Sequence, residues 1–222
     1  MKFTIPTQEL NASISTVVKA MGSRTTISIL EGIYTEASGD SLLLRCTDLS
    51  LQIETTIPAA IEEEGACVMP GRLFSELVRR LPGEDTEIYT DKDTVYISSG
   101  RARTNMQSES ASEFHSMPNV KEEYSVSLAQ GTLKSMIRQC IFASAQDDSK
   151  PILTGVLLEM RPDELCMVAL DGYRLALRRE KLLSGMDEKD AVIPARSLLE
   201  IGRMLEDRDD AVKVIFSGTH VM

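Results

Sequence analysis

Apolar positions along the chain recur with two periods, and each period marks a different kind of element. Leu10, Ile14, Val17, Val18 and Met21 fall at i, i+4, i+7, i+8 and i+11, one stripe of an α-helix. The spacing predicts a helix over residues 7–21, with Thr7 as N-cap and Gly22 as its stop. A second stripe, Leu73, Phe74, Leu77 and Leu81, predicts a helix over 71–81 that Pro82-Gly83 ends. Between them Leu49, Leu51, Ile53, Thr55 and Ile57 alternate, the period of a strand with one buried face. Strands are predicted over 27–35, 41–45, 49–57, 86–89, 94–98 and 101–107. Glu62-Glu63-Glu64 and residues 108–113 read as loops by composition.

The pattern then repeats. At a shift of 123, Phe3 falls on Val126, Leu10 on Leu133, and Ile29-Leu30-Glu31-Gly32 on Ile152-Leu153-Thr154-Gly155. At 124, Val68-Met69-Pro70-Gly71-Arg72 falls on Val192-Ile193-Pro194-Ala195-Arg196, and at 126 Val95 falls on Val221. Drift of this size is what loop insertions produce, so the chain reads as two copies of one domain, 1–118 and 119–222. The second copy carries helices near 130–142 and 195–205. It stops inside its sheet, about a strand and a half early, which implies a fragment of something longer with an unpaired edge. Strands outnumber helices and hairpin-like joints connect them. That predicts an antiparallel α+β class, not a doubly wound one.

Charge is distributed unevenly. The whole chain has 24 Lys and Arg against 34 Asp and Glu, a net charge of −10. The four predicted helices carry Lys19, Arg72, Arg79, Arg80, Lys134, Arg138, Arg196 and Arg203 against Glu9, Glu76 and Glu200. Eight minus three leaves them at +5, so everything else carries −15. A basic helix layer suits phosphate contact, although exposed helix faces are often charged without it. No aromatic interleaving suggests base stacking, so contact with DNA would be to backbone and without sequence preference.

Other chemistry is poorly represented. Cys46, Cys67, Cys140 and Cys166 form no C-x-x-C pair and read as small buried hydrophobes. His115 and His220 fall on apparent loops. Phosphate-cradling glycine loops, zinc motifs and nucleophile elbows are absent from the sequence. Asp147-Asp148 and Asp209-Asp210 read as solvated loop acids. No cofactor is expected. No apolar run approaches the roughly 18 residues of a membrane span, and Met1-Lys2-Phe3-Thr4-Ile5-Pro6 has no signal-peptide core, so a soluble, cytoplasmic protein with no membrane partner is expected.

Several segments together resemble a known family. They are Met1-Lys2-Phe3-Thr4-Ile5, Arg24-Thr25-Thr26-Ile27-Ser28-Ile29-Leu30, Cys46-Thr47-Asp48-Leu49, Val68-Met69-Pro70-Gly71-Arg72, 153–159 and 168–176. In order and in phase, they are similar to the bacterial DNA polymerase III beta subunits, the sliding clamps. The resemblance implies a DNA-clamp fold with three domains per chain, of which this sequence holds the first and most of the second. It implies a processivity factor, not an enzyme: a homodimeric ring around duplex DNA, held topologically.

The resemblance also implies sites. Arg24 and Arg196 match DNA-backbone contacts. Asp147 stands where the family has a polar contact, with Gln146 beside it as a substitute. Arg72, Arg79, Arg80, Lys134 and Arg138 join them on the helix layer. A pocket wall for short linear motifs matches Leu153, Leu170, Gly172, Tyr173, Arg174 and Leu175, where Leu170 replaces a frequent Thr and Tyr173 a frequent His. Its implied partners are the DNA polymerase III catalytic subunit, the clamp loader, and repair and translesion polymerases. Arg101 and Arg103 match the full-length dimer interface, where Leu73 replaces a common Lys. Two alternatives stay open: a tandem-repeat module that binds peptides without encircling DNA, and an enzyme with an unrecognised site.

Overall fold

The computed structural model describes residues 1–22, 25–115, 120–147, 149–182 and 188–222. The chain divides into two compact units, Met1–Met117 and Pro118–Met222.

The first unit runs β1 (Lys2–Pro6), α1 (Thr7–Val17), β2 (Gly32–Ser38), β3 (Ser41–Thr47), β4 (Gln52–Pro58), β5 (Ala60–Glu63), β6 (Gly65–Pro70), α2 (Gly71–Val78), β7 (Asp85–Asp91), β8 (Thr94–Ser99), β9 (Ala102–Gln107) and β10 (Glu109–Ser110). Its strands form two antiparallel sheets, ordered β5-β1-β7-β8-β9 and β10-β6-β2-β3-β4. The second unit runs β11 (Tyr124–Ala129), α3 (Gln130–Cys140), β12 (Gly155–Arg161), β13 (Glu164–Leu170), β14 (Leu175–Lys181), β15 (Lys189–Pro194), α4 (Ala195–Met204) and β16 (Ala211–Phe216). Its sheets are β11-β16 and β14-β13-β12-β15. This is the α+β class that the patterning predicts.

In each unit a helix pair packs on the sheets, α1 beside α2 and α3 beside α4. Leu133, Met136, Ile137 and Cys140 of α3 are buried with Val156, Leu158, Met160, Leu165 and Met167 of β12 and β13. Leu10, Ile14 and Val17 of α1 are fully buried, as are Phe3, Ile5, Leu42, Leu44 and Phe74. Each such side chain contributes about 1.5–3 kcal/mol of apolar burial.

The two units share strand register as well as sequence. Tyr34 faces Val68 across β2 and β6, and Leu157 faces Val192 across β12 and β15. Phe3 faces Ile88 as Val126 faces Val214. The Thr90–Val95 pair has its counterpart in the Phe216–Val221 bridge. One close approach recurs at the same place in both units. A Cβ on Gly32 would come within 2.3 Å of Val68 Cγ1, and one on Gly155 within 2.4 Å of Val192 Cγ1. Both glycines have ordinary negative φ, so space and not backbone strain demands them.

Several boundaries differ from the patterning, each for a local reason. Thr7 is not a cap. Each of the helices α1 to α4 follows its strand directly and has no side-chain cap. For α1, Pro6 occupies the cap position, the Thr7 amide donates to Glu84 O (2.7 Å), and the Thr7 hydroxyl lies 2.8 Å from that of Thr86. A neighbouring loop carbonyl thus does what a capping side chain does elsewhere. The first helix narrows to a 3-10 turn after Val17, and the third after Cys140. Ser28–Glu31 is a 3-10 turn and not the start of a strand. The strand predicted from Leu49 begins at Gln52, because the Asp48 carboxylate accepts the amides of Ser50 (3.0 Å) and Leu51 (2.9 Å) and holds a turn with Leu49 at φ 71. The strand predicted from Arg101 begins at Ala102, past the turn at Gly100.

Two segments read as loops are ordered pieces of sheet. Ala60–Glu63 is an edge strand on β1, where Lys2 Nζ reaches Glu62 at 2.6 Å and Glu87 at 3.4 Å. An acidic edge is a common protection against further pairing. Glu109 and Ser110 pair with Val68 and Cys67. All four cysteines are buried and unpaired. Burial pushes the Cys46 thiol up to about 12 and that of Cys67 to about 11.

Gly155→Ala is expected to destabilise the second unit by about 1–3 kcal/mol, the usual range for overpacking. Val192→Ala in the same chain should recover most of that loss. Chemical denaturation of the two single variants and the double variant reads this coupling.

Candidate functional site

The helices that bury their apolar stripes turn basic residues outward. Arg72, in the first turn of α2, is exposed, and so are Arg79 and Arg80 at its end. Arg138 is exposed near the end of α3, and Arg196 in the first turn of α4. Arg72, Glu76 and Arg79 correspond in position to Arg196, Glu200 and Arg203, so one charge pattern occurs in both units. In α4 the Arg203 guanidinium pairs with Glu200 at 2.6 Å. Lys134 and Arg138 stand one turn apart on α3, which puts them on a common face. Lys134 is half-buried and its Nζ lies 3.0 Å from Asp207 Oδ2. Gln146 is exposed in the loop beyond α3, and next to it Asp147 accepts the Ser149 amide at 2.6 Å. Arg24 and Asp148 lie outside the described residues.

A second feature forms where β13 turns into β14. Leu170 and Leu175 are the last facing pair of the two strands. Between them the Asp171 carboxylate accepts the amides of Tyr173 (2.9 Å) and Arg174 (3.0 Å), while its other oxygen takes Arg174 Nε at 2.9 Å. These bonds, the two backbone amides foremost, hold the Asp171 carboxyl below its ordinary pKa. Gly172 takes φ 94, a conformation few side chains tolerate. The turn therefore projects Tyr173 wholly into solvent, and Leu175 is 62% exposed.

The Arg174 guanidinium lies 5.7 Å from the centre of the Phe142 ring, within cation–π range. Leu153, half-buried, sits in the turn before β12, and its carbonyl accepts the Ala145 amide at 2.9 Å. Phe142, Ile152 and Leu177 add exposed apolar surface. Patterning did not single these three out. Phe142 alone carried a signal, since it falls off the buried stripe of its helix.

Arg103 is exposed on β9, the outermost strand of its sheet, and Arg101 is exposed in the turn before it. Among the described residues, no group of three or more His, Cys, Asp or Glu is placed to hold a metal. No helix among them is long and apolar enough to cross a membrane.

The sequence matches two family models: the DNA polymerase III beta subunit N-terminal domain over residues 1–118, and its central domain over residues 127–222. The beta sliding clamp of Bacillus subtilis is 37% identical over 232 aligned residues, covering all of this chain and 61% of the relative. The crystal structure of the Bacillus subtilis clamp superposes with a TM-score of 0.97, again over the whole chain and 61% of that structure. A putative DNA polymerase III beta subunit from Eubacterium rectale, 35% identical, gives 0.96 with the same coverage. The chain thus spans about three-fifths of the length of these proteins.

The Asp171 turn has a definite pH signature. A folded pKa held below the ordinary carboxylate value of about 4 contributes stability above that value and loses it as pH falls through the lowered one. The amide signals of Tyr173 and Arg174 should therefore titrate together at a pH below that of an exposed aspartate. In Asp171→Asn this acid transition should disappear from both amides, which NMR titration reads directly.

Proposed function

Since the chain belongs to the DNA polymerase III beta subunit family, as its N-terminal and central domains, we propose that it forms part of a sliding clamp that encircles duplex DNA and tethers the replicative polymerase. The observation that carries this reading is the repeated outward face of the helices. Both units bury their apolar stripes and present Arg72 and Arg79, and Arg196 and Arg203, at equivalent positions. The rest of the chain is strongly acidic. A basic layer of this kind attracts phosphates of either strand without reading bases, and an acidic exterior repels other DNA.

In this proposal Arg24, Arg72, Arg79, Arg80, Lys134, Arg138, Gln146 and Arg196 contact the DNA backbone. The contacts are individually weak and exchangeable, so retention is topological and sliding costs little. Leu153, Leu170, Gly172, Tyr173, Arg174 and Leu175 take a short linear motif, with Phe142 as an added apolar wall. Those motifs belong to the polymerase III catalytic subunit, the clamp loader, and repair and translesion polymerases. Arg101 and Arg103, beside an open sheet edge, meet the partner subunit in the full-length homodimer. The protein is a non-catalytic, cytoplasmic accessory subunit, with domains at 1–118 and 119–222.

The test uses the natural protein loaded onto nicked circular DNA. Retention on the circle with release on linearisation is expected. Equal retention on both forms overturns the topological reading. Arg138→Glu combined with Arg196→Glu should weaken DNA association about tenfold or more and flatten its salt dependence by about two contacts' worth. Binding of a linear-motif peptide by the same variant, measured by fluorescence anisotropy, should be unchanged.

A further inference from the structure

Counted from Leu205, the chain leading into β16 is two residues longer than its counterpart counted from Leu81. Leu81 corresponds to Leu205, but Ile88 to Val214, so the extra pair falls within Glu206-Asp207-Arg208-Asp209-Asp210. This acidic loop is fastened onto the first turn of α3. The Glu206 amide donates to Gln130 Oε1 (2.9 Å), the Gly131 amide to Arg208 O (3.0 Å), and the Gln130 amide to Asp210 O (2.9 Å). Gly131 permits the approach, because a Cβ there would lie 3.2 Å from Arg208 O. The backbone on both sides of Asp207 is thereby held, and Asp207 Oδ2 meets Lys134 Nζ at 3.0 Å. Arg208, the loop's one base, pairs with Glu206 at 2.6 Å, and the Asp210 carboxylate accepts from Gln130 Nε2 at 3.5 Å, so Asp207 is the loop acid seen paired with a base of the helix. The first unit has Asn11 at the position of Lys134 and Pro82-Gly83 near that of the loop.

We propose that Asp207 is a built-in competitor of phosphate for Lys134, so that the loop tunes down the affinity of the α3 face for DNA. The proposal rests on the reading of that face as the DNA-contacting one. The pair is suited to exchange. The Asp207 side chain is 83% exposed and that of Lys134 32%, and such surface pairs are weak and screened by salt. A duplex, with its dense line of phosphates, displaces the carboxylate only on close approach. Lys134 then adds a contact that is surrendered again as the duplex moves. The loop thus keeps the second unit's grip loose where the helix alone would hold harder.

Association of this chain with a fluorescent duplex at low ionic strength, followed by anisotropy across a salt series, tests the idea. Asp207→Asn should tighten binding about two- to fivefold, in keeping with the weakness of surface pairs, and steepen the salt slope by up to about 0.9. The effect should vanish when Lys134→Ala is also present. Gly131→Val, which pushes the loop off α3, should act in the same direction as Asp207→Asn. Unchanged binding by Asp207→Asn, while Arg138→Ala or Arg196→Ala weakens it, overturns this proposal and leaves the DNA-contacting face standing. Equal tightening with and without Lys134 also overturns it, since the acid would then act by general repulsion. Absence of association, or association indifferent to Arg138 and Arg196, overturns the underlying reading and this proposal together.

Discussion

The helix face of each unit follows from one constraint: each helix must bury a single apolar stripe against a sheet. Leu133, Met136, Ile137 and Cys140 all point into the core, so Lys134 and Arg138 have only the outer surface left. The same reasoning places Arg72 opposite Phe74 and Val78, and Arg196 opposite Leu198. Packing therefore does the sorting of charge. Within each unit no ion pair is needed to turn the bases outward, because the packing of the helix on the sheet decides which way each side chain faces. The surface pairs that do form, such as Arg203 with Glu200, adjust the strength of the layer but do not create it.

Duplication fixes geometry and leaves chemistry free. In the first unit the outward row of the sheet is closed by its own chain. Phe114 lies 5.2 Å from Tyr34, Arg45 stands over the Tyr34 ring at 5.4 Å, and Arg45 binds Glu54 at 2.9 Å. At the same register positions the second unit has Leu157, Val168, Leu177 and Val192, with Leu177 and Val192 nearly half exposed. The Asp-turns diverge in the same manner: Asp48 holds a non-glycine residue, Leu49, at positive φ, whereas Asp171 holds Gly172. Shared register with altered side chains leaves the first domain's row covered by its own chain and the second domain's row apolar and partly exposed.

Most of the fold was legible in the sequence because helical and strand periods are strong where one face is buried. The 3-10 turn at Ser28–Glu31 escaped, since Ile27, Ile29 and Leu30 are as apolar as a strand. The edge strand Ala60–Glu63 escaped for the opposite reason: its acids suit an exposed edge but carry no alternation. For the candidate site, the bases of the four helices could be found from helix faces, whereas Arg24, Gln146, Arg101 and Arg103 came only from the resemblance. The Lys134–Asp207 pair could not, because its partners lie 73 positions apart and meet through a loop whose course depends on Gly131. Likewise Phe142 reaches Arg174 only through the packing of a helix end onto a strand turn.

The depth of the cysteines has a practical corollary. Cys46 and Cys67, with thiols near 12 and 11, are protonated at neutral pH, and burial raises Cys140 and Cys166 too. Reactivity toward electrophiles belongs to the thiolate, so burial works against reaction at all four sulfurs in the folded chain. A cysteine introduced at an exposed helix position would be the one addressable thiol. A spectroscopic probe could be attached there with the native sequence otherwise intact.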